Sequence, residues 1–150
     1  MSDLYKRDIL AWSRQQVELL RRMAAGERVN GQVDWPNVIE EIEDVGRSEL
    51  RAVRAALRLG MQHKLYLLGW PTDRAMHLWA AEVTNQLAEA DQDFRESMRK
   101  EIDLASLYRR ARLSVEAHMA GDGPPVNALP DRCPFSLDEL LAECAAATGG

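Results

Sequence analysis

Apolar residues recur at steps of three and four along almost the whole chain, the spacing of one face of an α-helix, and no alternating strand pattern competes. Between Asp3 and Ala25 the row is Ile9, Trp12, Leu19, Leu20 and Met23, which predicts a first helix, with Asp3 or Asp8 suited to its N-terminus. Gly26 ends it. The stretch from Gly26 to Val33 mixes Gly, Asn and charged residues without a period and reads as a loop. Asp34 is then an N-cap, with Trp35 and Pro36 in the first turn, where the missing proline N–H costs nothing.

From there Ile39, Ile42, Gly46, Leu50, Val53, Leu57, Met61, Leu65 and Leu68 keep one helical phase, so a single helix is predicted from about 35 to 69. Gly46 reads as a close-contact point or mild kink inside it. At 1.5 Å per residue this helix is on the order of 50 Å long and calls for a partner along most of its length, in the chain or in a second subunit. Gly69, Trp70, Pro71 and Thr72 stop it, because proline cannot continue the ladder. A third helix is predicted from about Asp73 to Met98, turning Leu78, Trp79, Val83, Leu87, Ala90 and Phe94 inward. A fourth, at about 104 to 120, carries Leu104, Leu107, Tyr108, Ala111, Val115 and Met119. The run from Gly121 to Pro125 breaks it, and Val126 to Pro134 reads as an extended segment along the bundle. Ser136 and Glu139 form a capping box, so a short last helix begins at about Leu137 and runs through Leu140 and Leu141. The expected architecture is an all-α helical bundle of four main helices, one long, plus a short C-terminal helix. It is read as a single domain over 1–150, with its core at about 4–142 and a frayed tail at 143–150.

Composition narrows the class. A chain of 150 residues at 46% apolar and 29% charged is ordinary for a globular protein and excludes wholesale disorder, a collagen-like repeat and a disulfide scaffold. The segment from Met1 to Asp8 lacks the apolar centre of a secretory signal, and no window approaches the roughly 18 apolar residues of a membrane span, so a cytoplasmic protein off the membrane is expected. The net charge of −5 argues against nucleic acid as the partner. Cys133 and Cys144 are too far apart for a C-x-x-C motif, and Cys144 reads as a small buried apolar residue.

Leu4, Tyr5, Asp8, Trp12, Gln16 and Leu19-Leu20-Arg21, then Asp34-Trp35 ahead of Ile39-Glu40-Glu41-Ile42-Glu43, stand in a recognisable order. Gly46-Arg47-Ser48-Glu49, His63 before Trp70, Trp79, and Cys133-Pro134 followed by Leu137 and Leu140-Leu141 complete it. In these landmarks, over about residues 4 to 142, the chain resembles the bacterial family known as domain of unknown function twenty-nine. The resemblance implies a compact all-helical bacterial protein with no established activity. The chain departs from that pattern at Leu68-Gly69-Trp70-Pro71, a shorter and less basic exit from the His63 helix than is usual in the family.

Familiar reaction centres are missing from the sequence. The residues three before His63, His77 and His118 are Gly60, Arg74 and Val115, so the Glu-x-x-His motif of di-iron bundles is absent, and no pair of histidines stands four apart. Neither phosphate-cradling glycine motif occurs. No metal site and no cofactor are expected.

Three groups of residues remain as candidates. The first is a polar cluster of Glu40, Glu43, Arg47 and His63. Glu40 and Glu43 share a helix face and Glu43 precedes Arg47 by four, so the bland reading is a solvated ion-paired face and the sharper one a partly buried cluster with His63 as base. His63 lies 20 residues beyond Glu43, on the order of 30 Å along a straight helix, so only a break near Gly46 or a second subunit joins them. His63 alone reads as a core or boundary histidine. The second group is the stripe Arg47, Arg51, Arg54 and Arg58, either solvated surface or a track for phosphates or an acidic partner. The third is the tryptophans Trp35, Trp70 and Trp79, read first as core anchors and otherwise as a partner surface. The long helix is acidic at its start and basic along its middle, so two copies packed antiparallel are complementary and a homodimer is expected. The function expected is a non-enzymatic interaction or regulatory module with an unknown protein partner. A ligand binder or enzyme built on the polar cluster and a nucleic-acid binder using the arginine stripe are the alternatives.

Overall fold

Asp8 interrupts the helical run that opens the chain. Its backbone (φ −153°, ψ 87°) leaves the helical region and its carboxylate accepts the Ala11 N–H at 3.0 Å, so the chain makes a single turn, α1 (Leu4–Arg7), before α2 (Ile9–Ala24). One helix was expected here. Asp favours the N-cap over a helix interior because its short carboxylate competes for nearby backbone donors, and the helix restarts behind it. Gly26, at φ +94°, closes α2 in the left-handed conformation a side chain would resist. In this computed structural model, which describes residues 3–148, the chain is all-α, with no strand among those residues.

After a 3₁₀ turn at Asn30–Gln32 comes α3 (Trp35–Gly69), 35 residues long and unbroken through Gly46. Next are α4 (Met76–Asp93), a 3₁₀ segment (Glu96–Glu101), α5 (Leu104–His118) and α6 (Leu137–Thr148). α4 is shorter than the predicted third helix. At its N-terminal side a turn in which Asp73 accepts the Ala75 N–H at 2.8 Å precedes it. At its C-terminal side Asp91 and Asp93 oppose the negative end of the helix dipole, and Phe94 is extended. Residues 143–148, expected as part of a frayed tail, belong to α6, and 149–150 lie outside the described residues.

The chain divides into two compact units, Met1–Ser48 and Glu49–Gly150, where the sequence reads as one domain. Each has its own apolar cluster, and that is the reason for the division. In the first unit Trp12, Leu19, Val29, Val33 and Val38 are buried together, with Leu4, Tyr5, Leu20 and Met23 packed on them. In the second, Val53, Leu57, Met61 and Leu65 of α3 pack with Val83, Leu87 and Ala90 of α4, Leu107, Tyr108, Ala111 and Val115 of α5, and Leu140 and Leu141 of α6. α6 lies on α4 and opens with the expected box, the Glu139 N–H reaching Ser136 Oγ at 3.1 Å and the Ser136 N–H reaching Glu139 Oε2 at 3.3 Å. The segment after α5 straps the end of α3. Val126 donates to the Gly69 carbonyl at 2.7 Å, Asn127 to that of Leu68 at 2.9 Å, and the Tyr108 hydroxyl to that of Pro130.

Burial departs from the predicted apolar faces at several positions. Ile9 on α2 is 51% exposed, Leu78 on α4 is 70% exposed, and on α3 Leu68 is 37% exposed while Ile39 and Ile42, in helical phase with Leu57, are 52% and 67% exposed. Cys144, read as buried, is half-buried, with Sγ 3.9 Å from Asp91 Oδ2.

Candidate functional site

Asp34 organises the start of α3. Its Oδ2 accepts the Trp12 indole N–H at 2.9 Å and the Asn37 amide at 2.8 Å, while its own N–H donates to Gln16 Oε1 at 2.8 Å. Gln16, only 4% exposed, has its acceptor satisfied there. Hydrogen bonds favour the charged carboxylate, so Asn37 first and Trp12 second hold Asp34 below the usual carboxylate range. A folded pKa below the unfolded one gives stability that is complete above about pH 4 and is lost as pH falls through the folded value. The thermal midpoint of the protein is therefore expected to drop as acid is added below about pH 4, and Asp34→Asn is expected to flatten that part of the profile. Melting curves from about pH 2 to about pH 6 check this; identical slopes for the two proteins would count against it.

Between three and four helical turns further along α3, Arg47 draws three carboxylates around itself. Its guanidinium is 2.9 Å from Glu40, 3.9 Å from Glu43 and 2.6 Å from Asp44, all with side chains about half exposed. Asp44, the largest cause, raises the Arg47 pKa further above its already high value. Solvent screens such exposed pairs, so they set charge more than stability. Glu41, beside them, accepts the Tyr5 hydroxyl at 2.6 Å, and this bond pushes the phenol up to about 12.

Of the candidate polar cluster, Glu40, Glu43 and Arg47 therefore come together on one solvated helix face. His63 does not share their contacts. Its Nδ1 is 2.8 Å from the Leu59 carbonyl and its ring meets Tyr66 edge-on at 5.5 Å. The helix makes no break at Gly46 that could bring it back. Of the arginine stripe, Arg47 is held by acids, Arg51 is exposed, Arg54 donates to the Glu101 carbonyl and Arg58 reaches Gln62 at 3.5 Å. The tryptophans also separate. Trp70 is buried in the second unit and Trp79 stacks on Tyr66 at 5.0 Å, whereas Trp35 is 40% exposed with its indole N–H pinned to the Asn30 carbonyl at 2.9 Å.

Two features escaped the sequence reading. Tyr66, 4% exposed, gathers His63, Trp79 and His118 and receives the Gln62 amide at 3.1 Å. The i, i+3 relation of His63 and Tyr66 was visible, but the partners from α4 and α5 were not. The other is an outward apolar row on the first part of α3, made of Trp35 (40%), Ile39 (52%), Ile42 (67%) and Val45 (67% exposed). These steps of four, three and three place them on one side of the helix. In the same unit Ile9, Leu10 and Val17 of α2 are also exposed, at 51%, 56% and 42%. A row of exposed apolar side chains on one side of a helix marks an interaction site more often than isolated residues do.

The second unit carries a cleft of about 660 Å³ lined by Trp70, Arg112, Glu116, Met119, Leu129 and Asp131. Its one guanidinium is already neutralised, by Glu116 at 2.8 Å and Asp131 at 3.0 Å. Among the described residues no three His, Cys, Asp or Glu side chains are gathered as metal ligands, and no helix is long and apolar enough to cross a membrane.

A family model described as "Domain of unknown function DUF29" matches residues 4–144. Among solved structures, an alpha-helical protein of unknown function from Rhodospirillum rubrum is similar, with 26% identity and a TM-score of 0.70 over 95% of this chain and 92% of that one. No curated protein matches.

Proposed function

For this chain, which belongs to the DUF29 family, we propose a role as a protein-interaction module that offers a helix face to another protein. The observation that carries this reading is the outward row of Trp35, Ile39, Ile42 and Val45. Leaving such a row in water forgoes roughly 25 cal/mol for every Å² of apolar surface that a partner could cover. Trp35 is a suitable anchor, because its indole is fixed before binding and little side-chain freedom is left to lose. The polar cluster gives less support to a catalytic role. Arg47, Glu40 and Glu43 are paired with one another with their side chains about half exposed to solvent.

The test is affinity capture from native lysate with the wild-type chain and with an Ile39→Glu/Ile42→Glu variant of unchanged helical circular dichroism. A protein retained by the wild type is expected to fall at least about tenfold in the variant, the equivalent of about 1.4 kcal/mol. Equal recovery by both would end this reading.

A further inference from the structure

Resting on that reading, we infer that the partner presents a cationic amphipathic helix, with an apolar row that covers Trp35, Ile39, Ile42 and Val45 and with Lys or Arg along its flanks. The spacing of the row is the one by which a helix docks its apolar side, residues three and four apart meeting the partner turn by turn. The charge beside it on α3 is mostly negative. Within residues 35–48, Glu40, Glu41, Glu43 and Asp44 stand against Arg47 alone, and that guanidinium is already shared among three of the four carboxylates. Tyr5 fixes the position of Glu41 without removing its charge. Of the basic residues of α2, Arg22 is paired with Glu27 at 2.9 Å, and Arg14 and Arg21 lie about 200° of helix from the buried Trp12 and Leu19. A binding helix therefore meets an apolar strip edged by negative charge, and basic flanks both speed its approach and select it over acidic helices.

A second copy of the chain fits this face poorly in either simple register. Antiparallel pairing centred on Ile42 would set eight carboxylates against two guanidinium groups across one contact. Sliding the copies until Glu40 and Glu43 meet the other chain's Arg58 and Arg54 centres the pairing near residue 49, and then Ile42 and Val45 face positions 56 and 53. Ala56 and Val53 are 7% and 0% exposed, already buried in their own core, so Ile42 and Val45 would stay uncovered.

The experiment uses the full chain and two synthetic helical peptides of about 20 residues, each with a leucine row, one flanked by lysine and the other by glutamate. Fluorescence anisotropy is read at about 50 mM and about 300 mM salt. The lysine peptide is expected to bind at least about tenfold more tightly than the glutamate peptide and to weaken several-fold at the higher salt. Ile39→Ser/Ile42→Ser is expected to cost about tenfold or more, and Glu40→Gln/Glu43→Gln several-fold together with a flatter salt dependence. Equal binding of both peptides, lost in the isoleucine variant, would overturn the charge assignment and leave the interaction module standing. Binding of the lysine peptide that ignores the isoleucine variant would reduce the effect to diffuse attraction and overturn the assignment. Failure of both peptides would also overturn it, with the capture experiment still deciding the broader reading. A dimer in sedimentation equilibrium that Ile42→Ser dissolves would give the row to a second copy instead.

Discussion

Replacing Gly60 with alanine is expected to destabilise the protein by up to about 2 kcal/mol, although the substitution sits in a helix where alanine is normally preferred. A Cβ built on Gly60 falls 2.4 Å from Leu87 Cδ2 and 2.9 Å from its Cγ, far inside van der Waals contact. Leu87 is 0% exposed and enclosed by the core, so its side chain has nowhere to swing. Overpacking of this kind costs about 1–3 kcal/mol, and the better helix propensity of alanine returns about 1 kcal/mol. A cycle with Leu87→Ala makes the argument decisive. Leu87→Ala alone should cost about 2–5 kcal/mol, and in that background Gly60→Ala should stabilise, because the added methyl then enters the vacated space. Urea denaturation of the four proteins measures the coupling. The same sign for Gly60→Ala in both backgrounds would mean that α3 and α4 do not meet at this point.

The largest effect is expected at Trp12. This side chain is 3% exposed, packs edge-on against Tyr5 at 4.9 Å between ring centres, and donates to Asp34. Trp12→Ala removes the biggest residue of a five-residue core and should cost about 3–5 kcal/mol. It also takes one of the two side-chain donors from the Asp34 carboxylate, which caps the start of α3. Trp12→Phe separates the two contributions, since it keeps most of the volume and loses the charge-assisted hydrogen bond, worth about 1.5–3 kcal/mol. Hydrogen exchange should show the α2 amides losing protection in Trp12→Ala. A change below about 1 kcal/mol in thermal or urea unfolding would show that Trp12 does not organise this unit.

Asp8 and Asp34 illustrate how far local chemistry can be read. Both were visible as capping residues, yet only the backbone at Asp8 shows that the cap also divides the helix in front of it. The candidate site was legible in part for the same reason. Arg47 finds Glu40, Glu43 and Asp44 because they lie seven, four and three residues before it on one helix, an arrangement that helical geometry alone imposes. Tyr66 went unnoticed because its surroundings come from three helices far apart in the chain.

What the sequence by itself determined is the all-α class, both ends of α3, the capping box of α6, the buried face of α5 and the family. Each depends on residues within about one turn of each other, or on an order of landmarks that needs no coordinates. Only the tertiary structure decided which part of the long apolar face of α3 is covered. Leu57 and Ile42 share a helical phase, yet one is 0% and the other 67% exposed. Periodicity shows that a face can be buried. Whether it is buried depends on which distant elements arrive to cover it, and here that leaves an apolar row beside a cluster of acids, facing solvent.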